Sequence, residues 1–148
     1  MKFVDREITK SELQAIYDDF KKIEIQDGLP LEESKRYNVV VEEHDTVIGF
    51  ASGLTEYRWF HLTDLWIHES CRRQGIGGKI LRMLEEKVRA IGMEHVYTWT
   101  TGLINPLFYE KQGYERFTTF ENYCGVEGYH KIGYRKDLRI HHCTKAHL

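Results

Sequence analysis

Apolar residues recur along this chain in two registers, one suited to helices and the other to strands. Leu13, Ile16, Tyr17, Phe20 and Ile23 fall three or four positions apart, which predicts a helix capped by Ser11 and running to about Ile25. Gln26-Asp27-Gly28-Leu29-Pro30 breaks it, and Leu31 to Lys35 is expected to add a further helical turn. Ahead of that helix, Phe3 to Ile8 alternates briefly between charges and is expected as a first strand. Asn38-Val39-Val40-Val41 reads as a strand, His44-Asp45-Thr46 as a tight turn and Val47 to Leu54 as the returning arm of a hairpin. A connection near Glu56 to Arg58 leads to Trp59 to Ile67, so successive antiparallel strands are predicted before the chain turns helical.

The second helical stripe is the sharper one. Ile76, Ile80, Met83, Leu84, Val88 and Ile91 share one face, Arg82, Glu85, Glu86 and Arg89 take the other, and Gly92 stands at the end. Met93 to Thr100 then reads as a strand lying parallel to Trp59 to Ile67 through a right-handed crossover. Leu103 to Lys111 suits a short helix with Pro106 in its first turn, stopped by Gly113. Tyr114 to Glu121 and Tyr129 to Leu138 are expected as the last strands. The pattern is that of an α/β fold with a mixed, mostly antiparallel central sheet flanked by helices. The first third is expected to form a mobile or substrate-facing lip, and the polar segment 139–148 a frayed tail.

Composition narrows the function classes. A chain of 148 residues is most economically one domain, able to bury roughly two-thirds of its unfolded surface without disulfides or metals. A net charge of −2 lacks the basic footprint of a nucleic-acid binder. Three cysteines, Cys71, Cys124 and Cys143, are an odd number without CxxC spacing, which favours a reducing compartment, by default the cytoplasm. Lys2, Asp5, Arg6 and Glu7 charge the start of the chain, and no stretch approaches the ~20 apolar residues of a membrane span. Nucleic acid and membrane are therefore not expected as partners.

The chemistry concentrates between strand and second helix, at Arg72-Arg73-Gln74-Gly75-Ile76-Gly77-Gly78. Glycines at 75, 77 and 78 allow positive φ and leave no β-carbons, so several N–H groups are expected to converge on one ligand at the positive end of the helix. Phosphate or pyrophosphate suits such a cradle, with Arg72, Arg73 and Lys79 adding charge. A nucleotide P-loop is excluded, because Gly78-Lys79 is followed by Ile80 and position 73 is arginine. A dinucleotide GxGxxG beginning at Gly75 fails at the branched Ile80.

What fits is Arg72-x-x-Gly75-x-Gly77, preceded by Leu65-Trp66-Ile67-His68-Glu69-Ser70-Cys71-Arg72 and followed further along by Phe108-Tyr109-Glu110-Lys111-Gln112-Gly113-Tyr114. These blocks, in this order, resemble the GNAT superfamily of acyl-CoA N-acetyltransferases. The resemblance extends less sharply from about Tyr37 to Leu138. It implies a sheet split beside the glycine loop, with acetyl-CoA as co-substrate at the split and no metal. It also implies pyrophosphate contacts from Arg73, Gln74, Gly75, Ile76, Gly77 and Gly78, and pairing of the pantetheine arm with the backbone of Leu65, Trp66 and Ile67.

Tyr109 stands where the family's usual general acid stands. An unperturbed phenol near pKa 10 gives its proton to a thiolate near 8.5 modestly uphill. The alternative is that Tyr109 merely packs with Phe108. Where the family often has a cofactor-holding asparagine, this chain has Gly102; Asn105 is the nearby candidate, or else a cap for the short helix. Glu56, His61, Asp64, Glu69 and Tyr97 are the local choices for a base. Asp64 is unusual for a mid-strand position, and simple alternation would put it on the face of Leu62 and Trp66. Cys71 offers a covalent route only if a histidine base accompanies it. His141, His142, His147 and Cys143 form a weak metal motif in the tail. The expected activity is direct acetyl transfer to a primary amine of a small molecule. A protein or peptide amine, and a silent acyl-CoA sensor, are the alternatives. The aromatics Tyr57, Trp59 and Phe60 belong to core or rim, and a homodimer is among the partners the sequence allows.

Overall fold

The computed structural model describes residues 1–102 and 106–140, and the chain divides into two compact units, Met1–Glu33 and Ser34 onward. The first unit is one helix, α1, Lys10–Gln26. Its cap is Thr9 rather than Ser11. The Glu12 N–H donates to the Thr9 hydroxyl (3.2 Å), and the Glu12 carboxylate accepts from the Thr9 N–H (2.9 Å). That reciprocal pair satisfies two otherwise orphaned donors; Ser11 also has a glutamine three residues on, but the Gln14 side chain reaches forward to Asp18 (3.0 Å) instead. Arg6 also reaches Glu12, at 3.0 Å, and holds its own segment against the helix start. The expected strand over Phe3 to Ile8 is accordingly not formed, nor is a helical turn over Leu31 to Lys35.

The second unit is a six-stranded sheet, β1 (Arg36–Glu43), β2 (Thr46–Glu56), β3 (Trp59–Ile67), β4 (His95–Gly102), β5 (Glu115–Phe120) and β6 (His130–Asp137), in the order β1-β2-β3-β4-β6-β5. Only β3 and β4 run parallel, across the crossover through α2 (Ile76–Ala90). A short helix, α3 (Pro106–Lys111), leads from the β4 side to β5. At the β1–β2 turn both His44 and Asp45 take positive φ (50° and 59°), the left-handed pair whose twist matches a two-residue hairpin.

One face of the sheet packs on α2. Ile80, Leu81, Leu84 and Val88 meet Ala51, Phe60, Leu62 and Val96, all at most 2% exposed. The stripe read from the sequence is thus the buried one, while Met83 and Ile91 lie at its margin and stay exposed. Glu85 is the charged residue drawn into this layer. Lys136 of β6 bonds its carboxylate at 3.0 Å and the Tyr114 hydroxyl donates to it at 3.0 Å, so the buried charge is paired and hydrogen-bonded.

Candidate active site

The β3–β4 ladder is short. It pairs Trp59 to Leu62 with His95 to Thr98 and ends there, although both strands continue. The cause lies in β3. Opposite β2, Ser52 faces Asp64 and Gly53 faces Leu62, leaving Thr63 as an extra residue in a β-bulge. A bulge bends its strand and raises the local twist, here at the point where β3 leaves β4. Gly53 is required by this arrangement, since a β-carbon there would lie 2.3 Å from the His61 carbonyl oxygen. At the apex the Thr98 hydroxyl donates to the Leu62 carbonyl (2.9 Å), so the last rung is closed by a side chain.

The bulge also corrects the expected placement of Asp64. Leu62 is buried, yet Leu65 and Ile67 are the next residues packed on the core, so Asp64 and Trp66 face the other way and are exposed. Asp64 accepts from the Thr63 hydroxyl (2.7 Å) and lies 3.9 Å from Arg36, which itself donates to Ser52 (2.8 Å). Asp64, Trp66 and Phe50 line one side of a cavity of about 350 Å³ in the split; Thr98, Trp99 and Tyr109 line the other.

Beside the split, β3 runs through a 3-10 turn, Glu69–Cys71, into α2. Gly75 caps the helix at φ 77° without a side-chain hydrogen bond. The first intrahelical bond joins the Lys79 N–H to the Gly75 carbonyl (3.2 Å), so the N–H groups of Ile76, Gly77 and Gly78 have no partner within the helix. Gly77 and Gly78 do not take positive φ as expected; Arg73 does, at 62°. Arg72 donates its Nε to the Ile67 carbonyl (3.0 Å) and so ties the loop to the end of β3. Arg73, Gln74 and Lys79 are exposed around the helix start, and no acidic residue stands in its first turn. An anionic group fits there on both counts, free donors and unopposed positive charge.

Tyr109, on α3, is 8% exposed and packs against Phe108, Tyr114 and Tyr134. Burial pushes its phenol above the ordinary 10, and the neighbouring Thr98 hydroxyl pulls the other way. Packing with Phe108 and a place in the split thus hold together. The remaining base candidates form their own group. The Tyr97 hydroxyl donates to Glu56 (2.7 Å), and His61 stacks on Tyr97 (4.5 Å) with Nδ1 3.5 Å from Glu56. Burial first, then Glu56, drives the Tyr97 phenol far above its usual range, so it stays neutral. Glu69 is exposed in the 3-10 turn.

Asn105 and the tail residues His141, His142, Cys143 and His147 lie outside the described residues. Among the described residues no His, Cys, Asp and Glu group suits a metal ion, and no helix is long and apolar enough to cross a membrane. Sequence reasoning missed Thr98, Gly53 and the Arg36–Ser52 pair; nothing local marks them, because their roles arise from strands meeting.

A parallel strand pair that parts beside a glycine-led helix start makes an α/β fold with an opening at the split. The chain belongs to the acetyltransferase (GNAT) family, whose model matches residues 5–114. In fold it is similar to an acetyltransferase from Bacillus cereus ATCC 14579, with 21% identity over 92% of this chain and 97% of that one and a TM-score of 0.76. An aminoglycoside 6'-N-acetyltransferase complexed with coenzyme A is similar at 17% identity, covering 94% and 99% of the two chains, TM-score 0.65. The ribosomal-protein-S18-alanine N-acetyltransferase from Escherichia coli is similar at 14% identity, covering 94% and 96%, TM-score 0.64. No curated protein matches the chain in sequence.

Proposed function

We propose that this chain transfers an acetyl group from acetyl-CoA directly to a primary amine of a small molecule. The observation that carries the reading is the split itself: unpaired β3 backbone and Tyr109 border one opening, and the free N–H groups at the start of α2 lie at the end of the same strand, where Gly77 approaches Ile67 and Phe108. Acetyl-CoA, when bound, supplies a thioester carbonyl to an amine. Ile76, Gly77 and Gly78 would take its pyrophosphate on backbone N–H groups, with Arg73, Gln74 and Lys79 beside them. Beyond Leu62, β3 has no neighbour on the β4 side, so the backbone of Leu65, Trp66 and Ile67 is open to an extended ligand arm in the manner of an added strand. A backbone N–H in this stretch would also stabilise the developing oxyanion.

As the amine nitrogen bonds to the carbonyl carbon, the C–S bond breaks and Tyr109 gives its phenolic proton to the departing thiolate, while the proton that the nitrogen sheds on becoming an amide restores the phenol. Its raised pKa keeps that proton in place at neutral pH, at the cost of a more uphill transfer. Asp64, on the exposed side of the split, is the base assigned to the incoming ammonium; Arg36 and Thr63 orient its carboxylate.

The test is calorimetric titration of the wild type and Gly77→Glu with acetyl-CoA and CoA. Micromolar binding in the wild type, lost in the variant, is expected, because a carboxylate placed among the free N–H groups occupies their site. A folded wild type that binds neither compound sinks the reading. Binding without turnover of any amine or peptide leaves an acyl-CoA-binding module instead.

A further inference from the structure

Lys131 of β6 is held in an unusual way. Its Nζ lies 5.1 Å from the ring centre of Trp99, 4.9 Å from that of Tyr123 and 6.0 Å from that of Phe120. Trp99 and Phe120 are themselves in contact at 5.3 Å, and Phe120 touches Tyr123 at 6.4 Å, so the rings form one wall around the ammonium. Among the described residues no hydrogen bond or ion pair engages the Lys131 ammonium. A lysine on a strand ordinarily swings through solvent. Here several ring faces attract the cation and fix it, while its N–H donors remain free.

The place matters as much as the geometry. Trp99 also lines the cavity in the split, and Lys131 pairs in register with Thr101, another residue lining that cavity. The fixed cation therefore stands at the lip of the opening on the β4–β6 side. Asp64 lies across the cavity on the β3 side, engaged with Arg36 and Thr63. A molecule spanning the two would meet a carboxylate at one end and an ammonium with free donors at the other.

We propose that the acceptor is a small amine that also carries an acidic group, carboxylate or phosphate, and that Lys131 binds that group while the amine is held on the Asp64 side. This rests on the transferase reading above and specifies its substrate class. Trp99, Phe120 and Tyr123 serve as positioning residues, fixing the cation before the acceptor arrives so that less side-chain freedom is lost on binding.

The experiment measures CoA release with matched pairs of amines, each acid beside its neutral counterpart: amino acids with their amides, and aminoalkyl phosphates with the amino alcohols. Wild type, Lys131→Met, Lys131→Arg and Tyr123→Leu are compared, with acetyl-CoA titrated into each by calorimetry. In the wild type at least one acid is preferred over its partner by about tenfold or more in kcat/KM, the size of one charge-assisted hydrogen bond. The preference collapses in Lys131→Met through a raised KM, survives in Lys131→Arg and weakens in Tyr123→Leu. Whether carboxylates or phosphates show it identifies the acidic group. A wild type that treats every pair alike or prefers the neutral members overturns the proposal, as does a preference unaltered in Lys131→Met. So does acetyl-CoA binding with no amine of either kind turned over; a wild type that fails to bind acetyl-CoA instead strikes at the transferase reading itself.

Discussion

Tyr109 joins ring packing to the chemistry proposed for it. Its ring is stacked on Tyr134 at 5.7 Å and edge-on to Phe108 and Tyr114, so the hydroxyl cannot wander from the split. Tyr109→Phe keeps that aromatic packing and removes the proton. A fall in kcat of about tenfold to hundredfold is expected, with the affinity for acetyl-CoA unchanged, since general acid catalysis contributes at least that much when solvent does not substitute. Steady-state kinetics and calorimetry on the variant check both halves, and full turnover in Tyr109→Phe would remove the acid assignment. Tyr109 was singled out in the sequence by Phe108-Tyr109 and Gly113-Tyr114, and the structure places it at the cavity. Its burial was not, because the rings that enclose it come from separate elements. Asp64 shares the exposed face of Trp66 as expected but not the face of Leu62, for a related reason: the two are separated by the bulge at Thr63, and the bulge exists only where β2 and β3 pair.

Helix α2 is legible almost in full, because a 3.6-residue repeat of apolar side chains is a local signal with one consequence. Its buried acid is a different matter. Glu85 falls on the polar side of the stripe, yet only 7% of its side chain is exposed, and it joins α2 to β6 through Lys136 and to the segment after α3 through Tyr114. Glu85→Ala leaves the Lys136 ammonium, 26% exposed, and the Tyr114 hydroxyl without their shared acceptor. Losing one side of a buried pair is severe, but partial access of water to Lys136 softens it, so a loss of roughly 2–3 kcal/mol is expected. Urea denaturation measures it, and a change under about 0.5 kcal/mol, typical of exposed ion pairs, would show the network to be incidental. At α1 the sequence offers two capping boxes, Thr9-x-x-Glu12 and Ser11-x-x-Gln14, and the structure forms the first, with Gln14 bonded to Asp18.

At the scale of the whole molecule, the sheet gathers phenols into one interior layer, and pH acts on them as a set. Burial raises Tyr109, and burial together with the Glu85 carboxylate raises Tyr114 well above the ordinary value. Below about pH 10 folded and unfolded chains both hold these protons; above it the unfolded chain releases them first. The folded state then binds more protons, and stability falls as pH rises, by up to about 1.4 kcal/mol per pH unit for each phenol. Urea midpoints at pH 8 and pH 10.5 should show this loss, and Tyr114→Phe should lose less; an equal loss in the variant would place the titration elsewhere. What the sequence determined by itself was the family, the order of strands and helices from β1 onward, and the glycine-led helix start, because periodicity and short motifs are local properties of the chain. Only the tertiary structure decided where β3 and β4 part, which way Asp64 points, how Thr98 closes the apex and what surrounds Lys131. Those features depend on register and packing between residues far apart in sequence, and no local pattern records such a contact before the strands have met.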